Sequence, residues 1–276
     1  MRNNKKTIYF RAIWAILILL LLASAAIAAT ARKQVKETFP LVLGGEISLE
    51  NVNGRIKISS WDKESVELSA QISVKHASRR RAEEYLEEVE LDINRGRDFL
   101  DIEVSHPRSR GGEGFFSSLF SWLFGGGKPN LTVNFTLRVP EEADLEIRTV
   151  NGRIDIDDIT GQINSKTTNG NIDITGSSGT VTCRTVNGSI SVVLEEVSRF
   201  DEMSFKTVNG GIRLAVPSSL RANLEAGTVN GSIQTDLALE VKGKLSRRSL
   251  KGRINGGGGY IILKTVNGGI TLVEVD

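Results

Sequence analysis

The chain has 276 residues, 35 Lys+Arg against 33 Asp+Glu, one cysteine and two histidines. Balanced charge excludes nucleic-acid binding through bulk positive charge. The lone Cys183 excludes an intramolecular disulfide framework and multi-cysteine metal sites, and His76 and His106 are too few for a His-rich one.

Residues 1–11 carry Arg2, Lys5, Lys6 and Arg11 and no acid, and residues 12–31 carry no charge. About 20 apolar residues can span a bilayer as a helix. A basic flank stays in the cytoplasm, which sends the rest of the chain outward. Segment 12–31 therefore reads as a transmembrane anchor, with residues 1–11 as its cytoplasmic flank. A cleaved signal peptide is the alternative, with Ala26-Ile27-Ala28 and Ala29-Thr30-Ala31 as small-x-small sites. No cysteine follows the run, so lipoprotein processing is excluded.

Residues 40–140 read as an N-terminal β region. Strands are expected at Leu41–Leu43, Glu46–Glu50, Arg55–Ser59 and Val66–Lys75. A helix is expected over 78–89, with Ser78 as its cap. It places Ala82, Tyr85, Leu86 and Val89 on one face, and Arg79–Arg81 read as its solvated side. Strands Glu90–Asn94, Phe99–Val104 and Leu131–Pro140 follow. His76 and His106 read as loop residues at element ends. The insert 105–130 is rich in Phe and Gly. Its Phe115, Phe116, Phe120, Trp122 and Phe124 form either a lid over an open end of the β core or a candidate interaction patch.

Residues 141–276 are organised by a repeat. Asn-Gly followed by x-Ile occurs at Asn53-Gly54, Asn151-Gly152, Asn169-Gly170, Asn187-Gly188, Asn209-Gly210, Asn230-Gly231 and Asn267-Gly268. From Asn151 the spacings are 18, 18, 22, 21 and 37, and Asn53 reads as outside the regular array. Each repeat holds two strands and two turns, with Ile154, Ile156, Ile172, Ile174, Ile190 and Val192 alternating with polar residues. Two architectures fit. Asn-Gly is a strong hairpin signal, which suggests an antiparallel meander. A solenoid instead stacks like on like: Ile154, Ile172 and Ile190 in one column, Ser165 and Cys183 in another, and the asparagines in a corner ladder. The solenoid also allows Val150, Val186, Val208, Val229 and Val266 to turn inward, and it is the favoured reading. Cys183 then needs no chemistry. Crossovers are expected to be right-handed. Gly256–Gly259 lacks the lysine and helix of a phosphate loop and reads as a turn. The fold class is thus all-β: a right-handed solenoid-like array with one short helix near its front and an N-terminal transmembrane or signal helix.

The membrane segment, the strand–helix–strand opening and the run Leu145-Glu-Ile-Arg-Thr-Val-Asn-Gly-Arg-Ile-Asp-Ile156 with its copies resemble a bacterial adhesin-like family of unknown function. The resemblance covers about residues 40–276 and implies an all-β, solenoid-like envelope module. It supplies no catalytic residue, cofactor or metal ligand, and the Phe-rich insert departs from its pattern. The expected function is a non-enzymatic adhesin or scaffold of the cell envelope. Its partners would be the membrane, an envelope protein or a surface glycan, with self-association through sheet edges also open. One alternative is a carbohydrate-active β-helix enzyme. That enzyme would need paired carboxylates, for which Asp155 and Asp173 are the candidates, but they read as solvated strand charges. The other is a self-associating component of envelope stress.

Overall fold

A computed structural model describes residues 29–105, 130–197, 202–241 and 246–275. The leader through residue 28, His106 and the aromatic cluster of the insert lie outside the described residues.

The front of the chain forms β1 (Ala29–Pro40), β2 (Gly45–Glu50), β3 (Ile56–Trp61), β4 (Ser65–His76), helix α1 (Arg79–Glu88), β5 (Glu90–Arg95), β6 (Phe99–Ser105) and β7 (Asn130–Pro140). The middle forms β8 (Ala143–Arg148), β9 (Ile154–Asp157), β10 (Ile163–Lys166), β11 (Ile172–Ser177), β12 (Val181–Arg184), β13 (Ile190–Leu194), β14 (Glu202–Lys206) and β15 (Ile212–Pro217). The back forms β16 (Ala222–Asn230), β17 (Ile233–Thr235), β18 (Leu239–Val241), β19 (Ser249–Ile254), β20 (Gly259–Asn267) and β21 (Ile270–Val275).

These strands make two sheets. One has the order β1-β4-β7-β3-β9-β11-β13-β15-β21-β17, the other β18-β19-β16-β20-β14-β12-β10-β8-β2-β6-β5. Each repeat gives one strand to each sheet, and its neighbours add parallel strands in register. The meander is thereby excluded. Strands of four residues are too short to hold themselves, so their stability comes from stacking. Ile56, Ile154, Ile172, Ile190, Ile212, Ile270 and Ile233 occupy one register column. Ile58, Ile156, Ile174, Val192, Leu214 and Leu272 occupy the next inward column. Both feed a single hydrophobic core that runs from Phe39 to Leu272.

Several expectations change. The Asn53 repeat is the first coil of the array, because β2 pairs with β8 and β3 with β9. The front and repeat segments therefore share both sheets. Residues 29–31 belong to β1, which pairs antiparallel with β4 from Ala29↔His76 onward. Leu41–Leu43 lie outside any strand, and Leu41 is buried beneath the turn that leads into β2. Ser78 precedes α1 but its side chain makes no capping bond. Its backbone N–H instead donates to His76 Nδ1 at 2.9 Å. Along α1, Ala82 and Leu86 join the core while Tyr85 packs half-buried against it.

The order of the coils is not the order of the chain. The last strands, β20 and β21, insert between the β14–β15 coil and the β16–β17 coil. This placement accounts for the spacing of 37 between Asn230 and Asn267. β16 completes its coil and the chain turns back through β18 and β19. Only then does it fill the slot left open.

Candidate functional site: the asparagine corner and its flanking faces

At the six corners from Asn151 onward the chain leaves one sheet on an inward threonine, passes an outward residue, reaches asparagine and glycine, and enters the other sheet on an isoleucine; at the first corner buried Asn51 takes the place of the threonine and Val52 is buried as well. Parallel stacking brings the asparagines together. In each step Nδ2 of one donates to Oδ1 of the next: Asn230 to Asn267, Asn267 to Asn209, Asn209 to Asn187, Asn187 to Asn169, Asn169 to Asn151 and Asn151 to Asn53, all at 2.7–2.8 Å. The row ends where Asn53 Nδ2 meets the Leu131 carbonyl at 3.1 Å. All amides point the same way, so their dipoles reinforce one another.

The glycines follow from the same closeness. A Cβ on Gly170, Gly188 or Gly210 would sit 1.9–2.0 Å from the carbonyl oxygen of the glycine in the preceding coil. None of these three has a positive φ, so the requirement is space rather than a left-handed backbone. Those carbonyls are also acceptors for the buried threonines. Thr167, Thr185, Thr207, Thr265 and Thr228 donate to Gly152, Gly170, Gly188, Gly210 and Gly268 at 2.8–3.1 Å. The hydroxyl of Thr149, the front copy, has no such partner. Threonine, not valine, is therefore the inward residue of the motif. Val186, Val208, Val229 and Val266 are 36–56% exposed, and Val150 is half-exposed. The expected inward turn of the valines is thus incorrect, because the hydroxyl that can satisfy a buried carbonyl takes the inner position.

Asn51 was missed by the repeat reading, since it lies outside the Asn-Gly pair. It is buried, its Nδ2 donates to the Val133 carbonyl at 2.8 Å, and its Oδ1 accepts the Val52 N–H at 2.9 Å. It ties the first corner to β7. An asparagine two residues ahead of Asn53 was the available signal.

Asp155 and Asp173 do share a register position; Asp173 is half-exposed, but Asp155 is not a solvated strand charge. Asp155 is buried, with Oδ2 2.7 Å from Arg55 Nε and Oδ1 2.6 Å from Arg153 Nε. Arg153 Nη2 lies 3.2 Å from Asp173 Oδ2, an ion pair whose geometry falls short of a hydrogen bond. Burial holds the Asp173 carboxyl above its ordinary range; Arg153 pulls it down and Asp155 pushes it further up. Both oxygens of Asp155 are committed to arginines, so it is in no position to attack or to transfer a proton.

Cys183 is buried between Ser165 and Phe205 in the register column, and burial pushes its thiol up. A thiol held protonated is a poor nucleophile. Among the described residues no cluster of three His, Cys, Asp or Glu is placed to hold a metal, and no helix is long and apolar enough to cross a membrane. Gly256 and Gly257, at φ 81° and 92°, form the turn between β19 and β20.

A family model, Toastrack DUF4097, matches residues 43–273. Among solved structures, a candidate cell adhesion protein from Clostridium sporogenes ATCC 15579 is 12% identical, with a TM-score of 0.50 over 89% of this chain and 100% of that one. A candidate adhesin from Bacteroides fragilis NCTC 9343 is 10% identical, with a TM-score of 0.36 over 88% of this chain and 97% of that one. A candidate lipid-binding protein from Parabacteroides distasonis ATCC 8503 is 12% identical, with a TM-score of 0.33 over 88% and 97% of the two chains. The first of these likenesses is one of fold. No curated protein matches.

Proposed function

The chain belongs to the Toastrack DUF4097 family, and from that premise we propose that it is a non-enzymatic adhesin or scaffold held outside the cytoplasmic membrane. The observation that carries this reading is the continuous asparagine ladder over a single core. It fixes the coils at one-strand intervals and presents a rigid, regularly spaced outer surface. The arginine clamp on Asp155 speaks against use of that pair as hydrolytic carboxylates.

The uncharged run supports anchoring. With Ala29–Ala31 taken into β1, residues 12–28 remain, 17 in number, at the short end of what spans a bilayer. A signal peptidase cut after Ala31 would fall inside β1, so Ala28 is the cleavage point that spares the sheet.

Carbonate extraction with N-terminal sequencing tests anchoring. The full-length chain should stay in the membrane pellet with its C-terminal part open to protease added outside. Release of a chain beginning at Ala29 would replace the anchor with a cleaved signal. A chain that stays protected from protease in spheroplasts, where the outer face of the cytoplasmic membrane is open, would overturn the envelope reading. Polysaccharide cleavage that is lost in folded Asp155→Asn would overturn the non-enzyme reading.

A further inference from the structure

On the outer face of one sheet, the parallel register places Arg148, Lys166, Arg184, Lys206 and Lys264 side by side on β8, β10, β12, β14 and β20. Neighbouring strands lie about 4.8 Å apart, so the row is about 19 Å long. The two ends are compensated: Arg148 pairs with Glu50 and Glu146, and Lys264 with Glu225 at 3.2 Å. The middle three, Lys166, Arg184 and Lys206, have no ion pair among the described residues. Like charges directly opposite one another destabilise a sheet, so this arrangement works against the fold unless an anion covers it.

Beside the middle three cations the flanks are uncharged, while Glu146 and Glu225 stand in the flanking row at its two ends. On one side the middle strands place half-buried Asn164 and Thr182 and the buried Ser204. On the other, at the corner, stand Thr168, Val186, Val208 and Val266, all exposed. A bare cation row thus runs between a hydroxyl- and amide-bearing row and a mostly apolar one.

We propose that this row is a binding track for a linear acidic polysaccharide. Carboxylates would meet Lys166, Arg184 and Lys206, sugar hydroxyls the Thr182 hydroxyl and the Asn164 amide nitrogen, and ring faces the valine edge. The track is one cation wide and several strands long, which fits an extended polymer with charges recurring along its length. The proposal deepens the envelope reading by naming a ligand class, and the binding measured in vitro stands or falls apart from where the chain resides.

The test uses the full chain in detergent with polygalacturonate as the probe and neutral dextran as its control. The parent should bind polygalacturonate, with affinity falling as salt rises, and should ignore dextran. The triple variant K166Q/R184Q/K206Q should lose on the order of tenfold in affinity and much of the salt dependence. Its melting temperature should match or exceed that of the parent, because the like-charge row is gone. R79Q/R80Q/R81Q, which removes the same charge from α1, should bind as the parent does. Failure to bind polygalacturonate, or equal binding by the triple variant, would overturn the proposal. Binding to phosphatidylglycerol in mixed detergent micelles alone, lost in the triple variant, would assign the row to lipid headgroups and overturn the glycan.

Discussion

Asn187 and Gly188 do different work. Asn187 donates to Asn169 and accepts from Asn209, whereas Gly188 is glycine because Gly170 oxygen leaves no room for a Cβ. Gly188→Ala should cost about 3 kcal/mol, the upper end of overpacking, since backbone must give way rather than a side chain. Gly227→Ala is the control: its Cβ would meet nothing within 4 Å, and a change within about 1 kcal/mol, on the stabilising side, is expected. Equal shifts in thermal melts would refute the close-approach account. Asn53 accepts from Asn151 and donates to Leu131, so Asn53→Ala and Asn187→Ala should each lose about 2 kcal/mol, about 1 per bond. A markedly smaller loss at Asn53 would mean that the first rung is not part of the array. Asp173 gives a pH signature. Its folded carboxyl titrates above the unfolded one, so the folded state binds the proton more tightly, and stability falls as pH rises through the window above the ordinary aspartate range. Asp173→Asn lacks that loss. It should equal or exceed the parent at neutral pH, and its advantage should vanish as pH is lowered toward about 4. An advantage that persists unchanged into acid would point to packing instead of charge.

Among the elements, those with a period were legible from residues alone. The alternation of Ile172, Ile174, Ile190 and Val192 marked strands, and the spacing of Ala82, Tyr85, Leu86 and Val89 marked α1. The Thr-Val-Asn-Gly copies carried both the solenoid and the family resemblance, and the family match bears that resemblance out. What was not legible lacks a local signal. β1 reads Ala-Thr-Ala-Arg-Lys-Gln-Val-Lys-Glu-Thr-Phe-Pro; only Phe39 is buried in it, and it is a strand because β4 offers twelve partners in register. Such a strand is an edge, and Arg32, Lys33, Lys36 and Glu37 blunt it against pairing with another chain. The opposite edges, β17 and β18, are three residues each, too short to recruit a partner strand. Orientation at the corners was also hidden, because valine outranks threonine in hydropathy. The deciding quantity is a buried carbonyl that only the hydroxyl can satisfy.

For the whole molecule, the decisive feature is the inserted final coil. A solenoid stacked in chain order would lose only its end if its last repeat were deleted, since repeat arrays are held by nearest-neighbour contacts. Here β20–β21 lies between two other coils. β20 pairs with β14 on one side and β16 on the other, and β21 pairs with β15 and β17. Removing residues 259–276 therefore strips both faces of an interior slot. Deletion also takes away Asn267, which bridges Asn209 and Asn230 in the ladder. The truncated chain should lose amide protection in β16, β17 and β19 together, with β14 and β15 exposed as a new end, while β8–β13 stay protected because their neighbours remain. Hydrogen exchange resolved along the chain reads this directly. Protection kept throughout β16 and β19 would mean that the back segment folds as its own unit and that the final coil adds nothing to it. Loss confined to those back strands is the outcome expected of a stack whose order in space departs from its order in sequence.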